Sequence, residues 1–275
     1  MNEQHTIDVN CDIGEGYGRW HMPHDTALMN VVTSVNIAAG FHAGDPTIIR
    51  STVNTAISNG LNLGVHVALP DLLGFGRREM SVTPAEVHDY CTYQIGAVAA
   101  FVKAAGGTLT HIKPHGALYA MASRTPAIAG AIASAAAEFQ SDLRVFLLND
   151  QCRHAIEDRG VELVSEGFPE LNYTDDGALI LERDKSEWDP SLVAARAVDM
   201  VLNHVVRTQS GASLNVNVQT ICIHSDAQNA LQAALQVVRA LQDHNVRVTQ
   251  LPPRHADPVR TEQALGHGRA GYGPA

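Results

Sequence analysis

Polar side chains with catalytic potential stand where short apolar segments of this sequence end. In the clearest case, Lys113, Pro114 and His115 follow a β-branched run at residues 108–112, and an apolar pattern with helical spacing begins at Gly116. Proline cannot donate a backbone hydrogen bond to a sheet, so the predicted strand ends near Pro114. A lysine and a histidine at a strand end can stabilise charge on a carbonyl oxygen or on a phosphorylated leaving group.

The same construction recurs along the chain. Six polar groups lie at or just beyond the ends of separate predicted strands: Asp12, His42, His66, Lys113, Glu166 and His224. A carboxylate among neutral imidazoles can transfer protons near neutral pH or bind a divalent metal ion. The sequence contains neither H-E-x-x-H nor C-x-x-C, so any metal ligands would come from separate strands. We therefore expect proton transfer without a metal: Asp12 or a neighbouring histidine activates water, and Lys113 and His115 stabilise the developing charge.

Further residues in these loops are candidates for substrate contacts. They are Asn10, Glu15, Asn36, Asp45, Asp71, Arg77, Arg78, Glu166, His224 and Asp226. The two arginines could hold a carboxylate or a phosphate, or they could form a solvated charge pair. Asp45 could also cap the helix that follows it, and Asp226 could either orient His224 or cap a helix.

The elements that must position these groups alternate regularly. We predict strands at residues 6–11, 34–38, 61–67, 108–112, 144–148, 161–165, 220–223 and 246–251, and a short one at 178–181. The predicted helices span residues 25–32, 47–59, 83–105, 126–139, 151–159, 191–209 and 229–243. Short strands that alternate with longer helices indicate parallel strands joined by right-handed crossovers.

Two architectures fit that alternation, an open doubly wound sheet and a closed barrel. In a barrel the carboxyl ends of the strands ring one cup, whereas in an open sheet they spread along an edge. The six strand-end groups and the absence of a P-loop motif favour the barrel. We predict an α/β fold: a single-domain (β/α) barrel, seven-stranded and distorted relative to a TIM barrel, over residues 1–251. Residues 252–275 are expected to form a surface-draped or mobile tail.

Composition restricts the function classes. The chain has 275 residues, 45% of them hydrophobic, and a net charge of −10 without a lysine or arginine block. Nucleic-acid binding is disfavoured because phosphate neutralisation needs clustered cations. The polar start and the lack of a long uncharged apolar run predict a cytoplasmic protein that does not enter membranes. The four isolated cysteines fit free thiols, and Cys11 and Cys222 are interpreted as small buried apolar residues.

Five segments together resemble the LamB/YcsF family: N-C-D-I-G-E at 10–15, N-I-A-A-G-F-H-A-G-D-P at 36–46, P-D-L-L-G-F-G-R-R at 70–78, Y-Q-I-G-A at 93–97 and K-P-H-G-A-L-Y at 113–119. The best-known members are A subunits of prokaryotic 5-oxoprolinase. The resemblance implies a seven-stranded β/α barrel akin to those of polysaccharide deacetylases and sugar hydrolases. It also implies ATP-dependent opening of 5-oxoproline to glutamate, with B and C subunits phosphorylating the lactam. The signature positions carried over are Asp12, Glu15, His42, His66, Lys113 and His115.

The chain departs from the family pattern in four places. Ala39 stands where the family usually has cysteine, and residues 66–71 read H-V-A-L-P-D instead of H-P-x-Y-P-D. Residues 168–173 read F-P-E-L-N-Y instead of F-A-D-R-x-Y, so an acid–arginine pair is lost, and His224 is followed by Ser225 instead of glycine. A different lactam, cyclic amide or ureide therefore stays open as the substrate.

Three functions follow as hypotheses. The first is an amidohydrolase subunit that opens a cyclic amide, with 5-oxoproline as the leading substrate and ATP used by partner B and C subunits. The second is a metal-dependent deacetylase of the related barrel class. The third is a non-catalytic binding subunit of the same complex. We expect no tightly bound cofactor, and a homo-oligomer stays open.

Overall fold

Seven parallel strands close into a barrel in the computed structural model of this chain, which describes residues 4–148, 150–180 and 187–254. The barrel strands are β1 (Thr6–Ile13), β2 (Ser34–Ala38), β3 (Asn62–Val67), β4 (Leu109–Pro114), β5 (Arg144–Leu147), β6 (Glu162–Gly167) and β11 (Thr220–Cys222). Each of the first six pairs with the next, and β11 closes the ring between β6 and β1. The predicted seven-stranded (β/α) barrel is therefore confirmed.

The remaining strands lie outside this ring. They are β7 (Asn172–Tyr173), β8 (Leu179–Ile180), β9 (Val205–Arg207), β10 (Ser213–Asn215) and β12 (Arg247–Val248). β7 with β8 and β9 with β10 form two small antiparallel ribbons, while β12 pairs only with the first two residues of β1. The strand predicted at residues 246–251 thus extends the start of β1 instead of adding an eighth strand to the wall.

Helices surround the barrel. They are α1 (Asp25–Leu28), α2 (Pro46–Ser58), α3 (Pro84–Ala104), α4 (Gly116–Arg124), α5 (Pro126–Phe139), α6 (Arg153–Glu157), α7 (Pro190–Val198) and α8 (Ala230–Asp243). Three helix starts follow directly from local sequence: Asp45, Thr83 and Asp189 each accept backbone N–H groups of the first turn, and a proline follows each cap. None of the helices in the described ranges is long and apolar enough to cross a bilayer.

The barrel interior is polar. Alternate residues of β1, such as Val9 and Cys11, join the apolar core, whereas Asp8, Asn10 and Asp12 point inward. Asp8 accepts hydrogen bonds from Ser34, Thr33 and Thr220, and Asn36 donates to Asn10 at 2.7 Å. Branched aliphatic side chains usually fill such a barrel. Here hydrogen-bonded polar layers replace them and support the groups above.

One glycine lets a large side chain cross this interior. His111 on β4 reaches Asn36 with its Nε2 at 2.8 Å and stacks on Phe146 with ring centroids 4.0 Å apart. The ring passes directly over Gly64 on β3, where an added Cβ would lie 2.1 Å from Nε2. Any larger residue at position 64 must therefore displace His111.

Three expectations about helices need correction. The helix predicted at residues 191–209 ends at Val198 and continues as one π-helical turn, Asp199–Asn203. His204 then adopts a left-handed conformation with φ of 54°, and the chain turns into β9, because the β-branched Val205 and Val206 favour a strand. The helices predicted at 25–32 and 151–159 are the shorter α1 and α6. Of the predicted tail, residues 255–275 lie outside the described residues.

Candidate active site

A buried ammonium group forms the floor of the site. The Lys113 Nζ lies 2.9 Å from each of three acceptors on three other strands, the carboxylate oxygens of Asp12 and Glu166 and the Sγ of Cys222. Only 1% of the Lys113 residue is exposed. Burial alone lowers the pKa of a lysine, but the carboxylates outweigh it and the pKa of Lys113 lies well above its usual range. Lys113 is therefore a fixed positive charge and not a proton acceptor.

Asp12 connects this floor to two imidazoles. Its Oδ1 accepts hydrogen bonds from Lys113 and, at 2.8 Å, from Asn36. Its Oδ2 lies 3.1 Å from Nε2 of His66 and 3.5 Å from Nε2 of His224. Burial opposes the charge of Asp12, yet His66 and Lys113 together hold the pKa of this carboxyl well below its usual value. Asp12 thus stays a carboxylate that orients its neighbours.

Three histidines and one glutamate form a second group, which we call the imidazole cluster: Glu15, His42, His66 and His115. Glu15 Oε1 lies 3.1 Å from His42 Nε2, 3.3 Å from His115 Nδ1 and 3.7 Å from His66 Nε2. The rings of His42 and His115 stack with centroids 3.9 Å apart. Burial lowers the pKa of His42 to about 3 and raises the pKa of Glu15 to about 7.

The loop after β3 closes over this cluster. A Cβ at Gly76 would lie 2.7 Å from the ring of His115 and 2.8 Å from His42, and the φ of Gly76 is +63°. Only glycine tolerates both the contact and the left-handed conformation. The preceding carbonyl of Phe75 accepts a hydrogen bond of 2.8 Å from His115 Nε2, so the loop also fixes the orientation of that imidazole.

His224 is oriented by a carboxylate that the sequence did not single out. His224 Nδ1 lies 2.5 Å from Glu170 Oε1, and its ring stacks on Phe168 with centroids 5.6 Å apart. With Nδ1–H donating to Glu170, the lone pair of Nε2 points toward Asp12 and the cavity. A carboxylate that fixes the tautomer of an accessible imidazole is the arrangement of a general base. At 15% side-chain exposure, His224 is reachable from the cavity.

A cavity of about 280 Å³ opens above these groups. Its lining includes Asp12, His66, Arg77, Lys113, His115, Gly116, Tyr119, Arg124, Phe168 and His224. Because His115 and Gly116 line it, the N-terminus of α4 faces the cavity, where the helix dipole favours an anionic group. Arg77 stands at the same side, paired with Asp226 at 2.5 Å and lying 5.1 Å from the centroid of Phe75.

Most predicted site residues meet here. Four of the five predicted catalytic residues, Asp12, His66, Lys113 and His115, line the cavity, and His42 lies behind Glu15 in the imidazole cluster. Among the predicted substrate contacts, Arg77 and His224 line the cavity. Asn10, Asn36 and Glu166 lie buried beneath it and hold Lys113 and Asp12 in place. The polar groups at the ends of different strands therefore lie around one cavity, as the sequence predicted.

Four predicted contacts have other positions. Asp45 accepts N–H groups of Thr47, Ile48 and Gly18 and lies apart from the cavity lining, because it serves as the cap of α2. Asp71 is held by Arg78 and by the Gly74 N–H, so this pair shapes its own loop and neither residue lines the cavity. Asp226 pairs with Arg77, and Glu170, instead of Asp226, is the carboxylate on Nδ1 of His224.

Three residues of this site were not among the predicted ones. Glu170 keeps the acid of the acid–arginine pair that the sequence suggested was lost, so only the arginine is absent, with Leu171 in its place. Tyr119 donates to Glu166 at 3.0 Å, and its spacing of one helical turn from His115 could have revealed it. Cys222 is buried as expected, but it contacts Lys113. Cys222 stands two residues after the inward-facing Thr220 on β11, so strand alternation alone predicts that its side chain points into the barrel.

Two sets of potential metal ligands occur in the part of the chain that the structure describes. One is the imidazole cluster, and the other consists of Asp12, Cys222 and His224. Within each set, one ligand atom per residue lies within 4.8 Å of the others. The expectation that no metal is bound stays a prediction at this point.

Comparisons with known proteins identify relatives of this chain. The family model described as the LamB/YcsF family matches residues 7–256. The A subunit of 5-oxoprolinase from Bacillus cereus (strain 03BB102) is 41% identical over 247 residues, which cover 88% of this chain and 98% of that relative. The corresponding protein of Bacillus anthracis is 40% identical over the same shares. The crystal structure of the lactam utilization protein from Thermus thermophilus is 40% identical, with a TM-score of 0.82, and covers 90% of this chain and 100% of that one.

Proposed function

This chain belongs to the LamB/YcsF family, and on that premise we propose that it is a hydrolase subunit that opens a cyclic amide, with 5-oxoproline as substrate and glutamate as product. The observation that carries the proposal is the Glu170–His224 pair, which faces Asp12 above the buried Lys113. The names of the relatives, a lactam utilization protein and a component of 5-oxoprolinase, supply the substrate class.

His224 is the proton acceptor in this proposal. Water adds to the carbonyl carbon of the lactam, and Nε2 of His224 takes the proton that the water loses. The ring carbon–nitrogen bond then breaks, and the departing nitrogen takes that proton back from His224. Glu170 stabilises the imidazolium between the two steps, as a buried carboxylate does in a catalytic triad. When the lactam carries a phosphoryl group on its carbonyl oxygen, this ring opening leaves an acyl phosphate, which a second water hydrolyses, so that 5-oxoproline, ATP and two waters give glutamate, ADP and phosphate.

Lys113 and the start of α4 supply the electrostatic part. All three hydrogens of the Lys113 ammonium point to acceptors in the protein, so its contribution is a fixed field at the cavity floor. A field that is in place before reaction stabilises developing negative charge without reorganisation. The N-terminus of α4 and Arg77 favour a substrate with its own carboxylate, as 5-oxoproline has.

We assign the use of ATP to partner subunits. The chain carries no P-loop motif, and the curated relatives are named as the A component of a larger enzyme. In this proposal B and C subunits phosphorylate the lactam, which activates the carbonyl group, and the present chain completes the cleavage.

Reconstitution tests the proposal. The purified chain is mixed with candidate B and C subunits, ATP and 5-oxoproline, and glutamate is measured over time. A parallel panel replaces 5-oxoproline by other lactams, by cyclic ureides and by an acetylated sugar. Glutamate formation that requires ATP and all subunits is the expected result. Turnover of the acetylated sugar alone, or no turnover of any lactam, would overturn the proposal, and any turnover at all removes the non-catalytic alternative.

A further inference from the structure

The imidazole cluster brings two ring nitrogens closer together than two neutral imidazoles with facing lone pairs tolerate. His66 Nδ1 lies 3.1 Å from the carbonyl oxygen of Lys113, and His115 Nε2 lies 2.8 Å from the carbonyl oxygen of Phe75. A carbonyl only accepts, so each of these nitrogens carries the proton of its neutral ring. If both rings were neutral, the opposite nitrogens, His66 Nε2 and His115 Nδ1, would both present lone pairs, yet they lie 2.9 Å apart, and His66 Nε2 is also 3.1 Å from Oδ2 of Asp12. Two lone pairs at that separation repel each other, and the repulsion is relieved either by a second proton on His66, directed at Asp12, or by a metal ion bound to both nitrogens.

Backbone carbonyls that fix the far nitrogen are the usual support of metal-binding histidines. Such contacts set the tautomer and aim the other nitrogen at the metal ion. Here two imidazoles receive that support from two different segments, β4 and the loop after β3. Glu15 Oε1 and His42 Nε2 complete the group, 3.1 Å from each other. Four potential donor atoms from the ends of four strands thus lie within 4.8 Å of one another.

The spacing of these atoms matches a metal coordination sphere. Ligands about 2.1 Å from a metal ion are about 3.0 Å apart at the edge of an octahedron and about 3.4 Å apart at the edge of a tetrahedron. The contacts of Glu15 with the three histidines are 3.1, 3.3 and 3.7 Å, and that of His66 with His115 is 2.9 Å. Three of these four separations fall in or near that range, and the stacked rings of His42 and His115 must rotate for both to bind the same ion.

The second set of potential ligands, Asp12, Cys222 and His224, is less suited to a metal ion. Its members Asp12 and Cys222 each lie 2.9 Å from the ammonium of Lys113. The ammonium already neutralises the Asp12 carboxylate and donates to the Cys222 sulfur, and its charge repels a second cation. The two sets can therefore be separated by experiment, since variants of one leave the other intact.

We propose that Glu15, His42, His66 and His115 bind one divalent first-row transition metal ion through three imidazole nitrogens and one carboxylate oxygen. Imidazole donors favour ions such as Zn²⁺ over Mg²⁺ and Ca²⁺, which prefer oxygen ligands. Because His66 and His115 line the cavity, the ion would stand next to the substrate, where it supplies Lewis acidity. This proposal and the sequence-based expectation of no tightly bound cofactor predict opposite results.

Metal titration of the whole chain is the test. Protein freed of metal with a chelator is titrated with Zn²⁺ by calorimetry and with Co²⁺ by visible absorption, and metal content is measured after dialysis. We expect one equivalent per chain and a Co²⁺ spectrum typical of nitrogen and oxygen ligands. His42→Gln and Glu15→Gln should each weaken binding by about 10-fold to 100-fold or more. His88→Gln on the outer face of α3 and His224→Asn in the second set are the matched controls and should bind like the wild type.

Each other outcome overturns the proposal. No binding by the wild type, or several weak equivalents that His42→Gln leaves unchanged, shows an adventitious ion only. Loss of binding in His224→Asn but not in His42→Gln places the ion in the second set. If the cluster variants fail to fold, X-ray absorption of the Co²⁺-loaded wild type still decides, because fewer than three imidazole ligands contradicts the assignment. The titration uses no substrate, ATP or partner, so its failure is distinct from failure of the proposed function.

Discussion

Replacing Lys113 by methionine tests the electrostatic floor of the site. Lys113→Met keeps the length and most of the volume of the side chain but removes the ammonium between Asp12 and Glu166. Both carboxylates lie 2.9 Å from that ammonium, and each residue is only 1% exposed, so water cannot replace it. Removing one partner of a buried ion pair costs about 3–5 kcal/mol.

The size of the effect follows from that cost. Because two carboxylates lose their partner, we expect the free energy of unfolding to fall by about 5 kcal/mol, near the upper end of that range. This loss reduces the ratio of folded to unfolded protein by about 10³-fold to 10⁴-fold. For a domain of this size the midpoint of thermal unfolding should fall by about 10–20 °C. The double variant Lys113→Met with Glu166→Gln should recover about 1–2 kcal/mol, because one of the two uncompensated charges is gone.

Urea denaturation at several pH values is the assay. The folded-state pKa of Asp12 is depressed in the wild type, so its contribution to stability is present above about pH 4 and is lost as pH falls through the folded pKa. The difference between wild type and Lys113→Met should therefore shrink as the pH is lowered below about 4. Lys103→Met, at the exposed end of α3, is the control and should change stability by less than about 0.5 kcal/mol. Equal losses of stability in Lys113→Met and Lys103→Met would refute the stabilising role of the buried ion pairs of Lys113 with Asp12 and Glu166.

Two further predictions concern the barrel and its rim. Gly64→Ala should lower the free energy of unfolding, measured by denaturation, by about 1–3 kcal/mol, because the new Cβ would lie 2.1 Å from the fixed ring of His111. Gly96→Ala, in α3 with open space around it, is the control and should be neutral or stabilising. A larger loss of stability in Gly96→Ala than in Gly64→Ala would contradict the packing of His111 over Gly64. Burial raises the pKa of Asp25 to about 6, so the wild type should lose up to about 3 kcal/mol relative to Asp25→Asn as pH rises from about 4 through 6. Parallel stability curves for these two proteins would refute that assignment.

The fold and the central charges could be predicted because they follow from local pattern. Parallel strands joined by helices place all strand ends on one face, so Asp12 on β1 and Lys113 on β4 meet although 101 residues separate them. Alternation along β1 and β2 likewise turns Asn10 and Asn36 inward. The residue types at the strand ends predicted proton-transfer chemistry, and the resemblance of whole motifs to one family added the substrate class.

What could not be predicted depends on irregular segments and long-range pairs. Glu170 follows β6 in a stretch without periodicity, so nothing local aims it at His224. Arg77 and Asp226 pair across 149 residues because of the shapes of two loops, which no spacing reveals. Cys222 was assigned to the core from residue type, although strand alternation placed it on the inner face with Thr220. Residue type alone is thus weaker information than position on a strand.

The rate of ring opening by His224→Gln tests the central claim most directly. In the reconstituted complex with ATP and 5-oxoproline, losing the proton acceptor should reduce glutamate formation by about 10²-fold to 10⁴-fold. Glu170→Gln should reduce it less and shift the pH profile, since it alters the imidazole without removing it. His88→Gln, on the outer surface of α3, should retain full activity. Full activity of a correctly folded His224→Gln protein would contradict the claim that this cavity opens the ring.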